Sequence, residues 1–120
     1  MKKVRTTNPE LIELIRFLRK QGRENNADIW RDVAERLSSR RRNQATVNLS
    51  RLNRYTQKNE TVAVPGKLLS AGEISHPVTV AATAFSERAR EKVCAARGKC
   101  LSFSELVKKN PKGSNIKIVG

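Results

Sequence analysis

The chain has 120 residues, and its 25 Lys and Arg against 11 Asp and Glu leave a formal net charge of +14 at pH 7. With 38% hydrophobic and 4% aromatic residues, it has material for one modest core under a large polar surface. No apolar run reaches the roughly 18 residues of a membrane span. Leu11 to Leu18 is broken by Glu13 and Arg16, so there is no signal-peptide core, and two cysteines without an export signal read as reduced thiols in a cytosolic protein.

In chain order, residues 1–7 form a basic tail bearing Lys2, Lys3 and Arg5. A helix starts next: Asn8 is a good N-cap, Pro9 suits the first helical position and Glu10 favours the dipole. Leu11, Leu14, Ile15 and Leu18 recur at helical spacing, and Gly22 is the expected stop. A second helix begins after Asn25 or Asn26, with Ile29, Trp30, Val33, Ala34 and Leu37 on one face. The two make a helical hairpin over residues 8–42. It runs into SSRRRNQ, residues 38–44.

From residue 43 onward the pattern is mixed. TVNL (46–49), TVAV (61–64), PVTVAATAF (77–85) and NIKIVG (115–120) read as strands. Residues 86–97 read as a helix capped by Ser86 and stopped at Gly98. Three strand-to-helix corners are expected, with Ser50, Ser86 and Ser104 as their caps. The expected class is mixed α/β, an N-terminal helical hairpin packed on a core of residues 43–120, the whole best regarded as one compact domain.

No constellation for catalysis stands out. His76, the single histidine, reads as a turn residue before Pro77. Cys94 reads as a buried, inert thiol on its helix and Cys100 as a strand residue, and neither has the partners of a zinc site. Gly66-Lys67 lacks the upstream glycine and the following Ser or Thr of a phosphate loop, so it reads as a tight turn with an exposed lysine. Glu73, Glu87, Glu91 and Glu105 read as surface partners of nearby cations. Neither enzyme activity nor a cofactor, a metal or a small-molecule substrate is expected.

The charge carries more information. Residues 1–60 hold 15 basic and 7 acidic side chains and residues 61–120 hold 10 and 4, so the whole body is basic rather than one tail. Self-repulsion of that size calls for a polyanionic partner. Between Glu35 and Glu60 there is no carboxylate, while Arg36, Arg40, Arg41, Arg42, Arg51, Arg54 and Lys58 fall in that stretch. Clustered arginine matches phosphate oxygens bidentately and sheds water more readily than lysine. Asn43, Gln44 and Asn48 add neutral donors for sugar hydroxyls. With Tyr55 as the sole aromatic there, a base-stacking sheet is not expected, and backbone and shape reading of a folded RNA is.

Three segments, AxVNLxRL (45–52), VAVPGKLLSAGEISHPVTVAATAFSERAREKV (62–93) and LSFSELVKKNPKGSNIKIVG (101–120), resemble the eighteen-e family of large-subunit ribosomal proteins of archaea and eukaryotes. The likeness runs from about Asn8 to Gly120, and the short length resembles archaeal members. One departure is Gln44, where the family often has a basic residue. The resemblance implies an irregular superhelix of strand–strand–helix turns and a structural role on large-subunit ribosomal RNA beside neighbouring ribosomal proteins. It also implies an RNA-facing segment from Arg40 to Arg54, a turn Val64-Pro65-Gly66-Lys67 presenting Lys67, and a second turn, Pro111-Lys112-Gly113, presenting Lys112. The RNA contacts expected are therefore Lys2, Lys3, Arg5, Arg40, Arg41, Arg42, Asn43, Asn48, Arg51, Arg54, Lys67 and Lys112. The alternative is a DNA-binding architectural protein with a helix-turn-helix-like N-terminus; Asp28, Asp32 and Glu35 make its second helix a poor recognition face.

Overall fold

The computed structural model describes residues 8–39 and 45–120, without the side chains of Ser39 and Ala45. The element order is α1 (Pro9–Glu24), α2 (Asp28–Ser39), β1 (Ala45–Asn48), α3 (Leu49–Tyr55), β2 (Glu60–Leu69), β3 (Val78–Phe85), α4 (Glu87–Ala95), β4 (Lys99–Leu101), α5 (Phe103–Lys109) and β5 (Ile116–Ile118). The expected mixed α/β class and N-terminal helical hairpin are both present.

All strand pairs are parallel. The order is β1-β2-β3-β4, with β5 also paired to β2. β2 is the hub. One edge pairs with β3, and the other is shared: β5 takes Thr61 to Ala63 and β1 takes Gly66 to Leu69.

A parallel sheet is stable when both faces are covered, and alternation along these strands serves two separate cores. Val62, Val64, Val78, Val80 and Ala82 pack with Leu49 and Leu52 of α3 and Ala89 and Val93 of α4. The intervening Ala63 and Ala81 face Ile15, Leu18, Trp30, Val33 and Leu37 of the hairpin and Phe103, Leu106 and Val107 of α5. Alanines on this face leave room for the two largest buried side chains, Trp30 and Phe103. Trp30 is fully buried, and its indole N–H donates to the Pro111 carbonyl at 2.8 Å. That bond fastens the hairpin to the C-terminal turn. Gly113, at φ +68°, closes the turn against Ile29, where a Cβ would come within 2.2 Å of Cγ2.

Several expectations are corrected. Gly22 does not stop α1. It lies buried inside the helix, 2.7 Å (as an ideal Cβ) from Cγ of Arg31, because the α1–α2 crossing needs a residue without a side chain there. The helix ends instead at Asn25, followed by Asn26 at φ 49°. Val64-Pro65-Gly66-Lys67 is not a turn. It runs inside β2, where three steps from Val64 to Lys67 match two steps from Ala82 to Ala84 on β3. The extra residue is a bulge, which lets a proline without an N–H sit in a central strand.

The serine caps hold at one corner of three. Ser86 accepts from the Ala89 N–H. At α5 the cap is Ser102, not Ser104, in a reciprocal capping box with Glu105. At α3 the cap position is Asn48, and the Ser50 N–H is satisfied from outside by the Ala71 carbonyl at 3.0 Å. Gly72, at φ +89°, allows that loop to press so closely on Ser50. Cys94 is exposed rather than buried. Cys100 is a strand residue as expected, and burial pushes its thiol up to about 11, only partly opposed by Arg90.

Candidate nucleic-acid interface

The sequence-predicted contacts Lys2, Lys3, Arg5, Arg40, Arg41, Arg42 and Asn43 lie outside the described residues. The others can be placed. Lys67 follows the bulge of β2, paired with Thr46 on one side and Ala84 on the other. All three are exposed. Paired residues on neighbouring strands point to the same face, so the row Thr46–Lys67–Ala84 is a stretch of sheet that no helix covers. Its lysine stands between two short side chains and forms no hydrogen bond or ion pair among the described residues. The Gly66 carbonyl beside it is held by the Thr83 hydroxyl at 2.8 Å, which keeps the bulge in place. The expected exposed lysine is there, but it follows a strand bulge in place of a turn, and Pro65 and Gly66 beside it are buried.

β1 leads from this row directly into α3, which carries Arg51 and Arg54, both exposed. The Arg51 guanidinium lies over the Tyr55 ring, 5.5 Å from its centroid. Neither arginine has an ion pair among the described residues. Asn48, at the β1–α3 corner, spends its side-chain oxygen on the Ala71 N–H at 3.2 Å. Its amide N–H groups remain to donate outward.

Lys112 is not part of this group. Its ammonium reaches the Asn25 carbonyl at 3.3 Å, tying the C-terminal turn to the α1–α2 loop on the hairpin side of the sheet. Lys92 of α4 clamps the β2–β3 loop through Ser70 O, Gly72 O and the Glu73 carboxylate at 3.1, 2.9 and 3.1 Å. Arg90 packs over Phe85 at 4.9 Å. Sequence reading missed Thr46 and Ala84, because only strand register shows that they flank Lys67. It also missed Lys117, which comes from β5 to donate to the Tyr55 carbonyl at 2.9 Å.

Several carboxylates are paired locally. Asp28 pairs with Arg31, Asp32 with Arg36, Glu73 with Lys92 and Glu60 with Lys117. The Gln57 backbone N–H and then Lys117 hold Glu60 below the usual carboxylate range. On α2 the apolar face is buried against the sheet, while Asp28 and Asp32 face out. On a helix so disposed the carboxylates offset Arg31 and Arg36, a poor match to a DNA groove. His76 bonds to the Thr56 hydroxyl at 2.8 Å, and that hydroxyl in turn donates to the Leu52 carbonyl at the end of α3. Among the described residues no group of His, Cys, Asp or Glu could hold a metal ion, and no helix is long and apolar enough to cross a membrane.

What remains at the open end of the sheet is Lys67, Arg51 and Arg54, cations without an ion pair among the described residues. The geometry presents charge outward and assembles no acid, base or nucleophile among them.

Comparison with known proteins agrees with this disposition. The family model described as ribosomal protein 60S L18 and 50S L18e matches residues 1–120. Among similar proteins, large ribosomal subunit protein eL18 of Methanothermobacter thermautotrophicus is 48% identical over 119 residues, covering 99% of this chain and 98% of that one. The proteins of the same name from Methanospirillum hungatei and Archaeoglobus fulgidus are 49% identical over 113 residues and 47% over 116. The former covers 94% of this chain and 93% of its own length, the latter 97% and 99%. A family match over the full length, with relatives 47 to 49% identical over nearly the whole chain, means that this chain belongs to the family of ribosomal proteins 60S L18 and 50S L18e.

Proposed function

We propose that this chain is a structural, non-enzymatic constituent of the large ribosomal subunit, working in the cytoplasm, where it holds folded large-subunit ribosomal RNA through Arg and Lys contacts to phosphates and abuts neighbouring ribosomal proteins. The observation that carries the reading is the uncovered row Thr46–Lys67–Ala84. β1 leads from this row into α3, which carries the exposed Arg51 and Arg54. A lysine between short side chains lets a bulky phosphate backbone approach the strand, and the Arg51 and Arg54 guanidiniums extend the contact beyond it. If six to ten phosphates are engaged, affinity falls by about 10³ to 10⁵ between 50 and 200 mM salt.

The test is fractionation of a lysate carrying the tagged chain on a sucrose gradient. Co-migration with the large subunit is expected. A chain that stays at the top of the gradient in low salt overturns the reading. Competition between folded ribosomal RNA and duplex DNA then separates it from the architectural alternative, with RNA expected to win.

A further inference from the structure

A second feature lies away from the Lys67 row. α2, α3 and β5 enclose an open groove of about 480 Å³, lined by Arg36, Arg51, Tyr55, Lys117, Ile118 and Gly120 among others. Its aromatic member is unusual. Tyr55 is 51% exposed and is the one large hydrophobic side chain left exposed among the described residues. The Arg51 guanidinium occupies one side of its ring, so the open area is the remainder of the ring.

The surrounding cations are held in place. Arg36 is positioned by Asp32 at 3.2 Å and by the Gly120 carbonyl at 3.4 Å. Lys117 donates to the Tyr55 carbonyl at 2.9 Å and meets both Glu60 carboxylate oxygens, at 3.2 and 3.4 Å, which fixes its ammonium at the groove wall. Arg51 has the ring contact and no ion pair among the described residues. A half-open aromatic ring at the mouth of a groove with three fixed cations matches an unpaired nucleotide: a flat base for the ring and a phosphate for the guanidinium and ammonium groups. A paired helix offers no free base face, so the groove does not suit duplex RNA.

We infer that this groove takes one unstacked RNA nucleotide, its base against Tyr55 and its phosphate between Arg51 and Lys117. The inference rests on the RNA-binding reading above, and it adds a base contact to a surface that otherwise reads backbone alone. The occupant is single-stranded. Base identity is not read, because a ring face accepts any base.

The test uses the full chain and two probes, a twelve-nucleotide oligouridylate and the same backbone with every base removed, titrated at fixed salt by fluorescence anisotropy. The intact strand is expected to bind about five- to a hundredfold tighter than the abasic one. Tyr55→Leu, checked for folding by circular dichroism, brings that ratio to about one with the salt slope unchanged, and Tyr55→Phe keeps it. Arg51→Ala lowers the salt slope by about 0.7. A wild-type ratio of one, or an equal loss on both probes in Tyr55→Leu, overturns the inference. If salt-dependent binding to folded ribosomal RNA persists in that case, the wider reading stands. If neither probe nor folded RNA binds, both fall.

Discussion

Trp30→Phe tests whether the helical hairpin is pinned to the rest of the chain by one side chain. The indole is fully buried between the sheet and the C-terminal turn and bonds to Pro111. Removing about 40 Å³ from a site that cannot collapse costs about 1 kcal/mol at roughly 24 cal/mol per Å³. The apolar area lost adds a little under about 1 kcal/mol. Loss of the hydrogen bond adds about 1 kcal/mol, and no more, because Pro111 is exposed and water can take over its carbonyl. The sum is about 2 to 3 kcal/mol. For a chain of 120 residues that is a fall in Tm of about 8 to 12 °C. Circular dichroism at 222 nm in a thermal or urea series measures it, with one cooperative transition expected if hairpin and core behave as a single domain. A fall below about 2 °C, or a separate early transition of the helices in the wild type, would refute the pin.

The cap assignment at α5 is tested by two neighbouring serines: Ser102→Ala is expected to lose about 1 kcal/mol in urea unfolding and Ser104→Ala almost nothing, and a reversed order would move the helix start. Thiol labelling with iodoacetamide at pH 8.5, followed by peptide mass spectrometry, should mark exposed Cys94 well before Cys100, whose thiol at about 11 is about 0.3% ionised there. Acid dependence follows Glu105. Its carboxylate is held below 4.5 by the Ser102 backbone N–H and then by the Ser102 side chain. A depressed folded value favours folding above the unfolded pKa and is lost as pH falls through the folded one. The Tm difference between wild type and Glu105→Ala should therefore be full at pH 7 and narrow below about pH 4.5. Lys67→Gln is expected to lower the salt slope of binding to folded ribosomal RNA by about 0.7 to 0.9 in a filter-binding series, and an unchanged slope would place that lysine in solvent.

Local signals in the sequence reported local structure well. Asn8 with Pro9, and Ser86 before ERAREKV, start helices because cap chemistry needs no distant partner. Signals that tertiary structure can override were misleading. Pro65-Gly66 is a strong turn pair in isolation, but here the strand continues through it, since β1 and β3 hold the backbone on both sides. Ser50 looked like a cap because nothing in its own segment reveals that Ala71 supplies the bond. Ser102 was legible after all, for Glu105 stands three residues later and completes the capping box. The candidate interface divides the same way. The arginine-rich run was visible as composition. The row around Lys67 depends on strand register, and Lys117 reaches Tyr55 from a strand 62 residues further on, a distance over which no periodicity speaks.

Because β2 shares one edge between β1 and β5, a ribosome making this chain releases the hub long before its last neighbour. Residues 61–63 wait with open N–H and C=O groups until residues 116–118 arrive, and Trp30 waits equally for Pro111. Until residues 111–118 have emerged, the nascent protein carries a central strand with one edge half bare, and its helical hairpin lacks the bond that Pro111 gives Trp30.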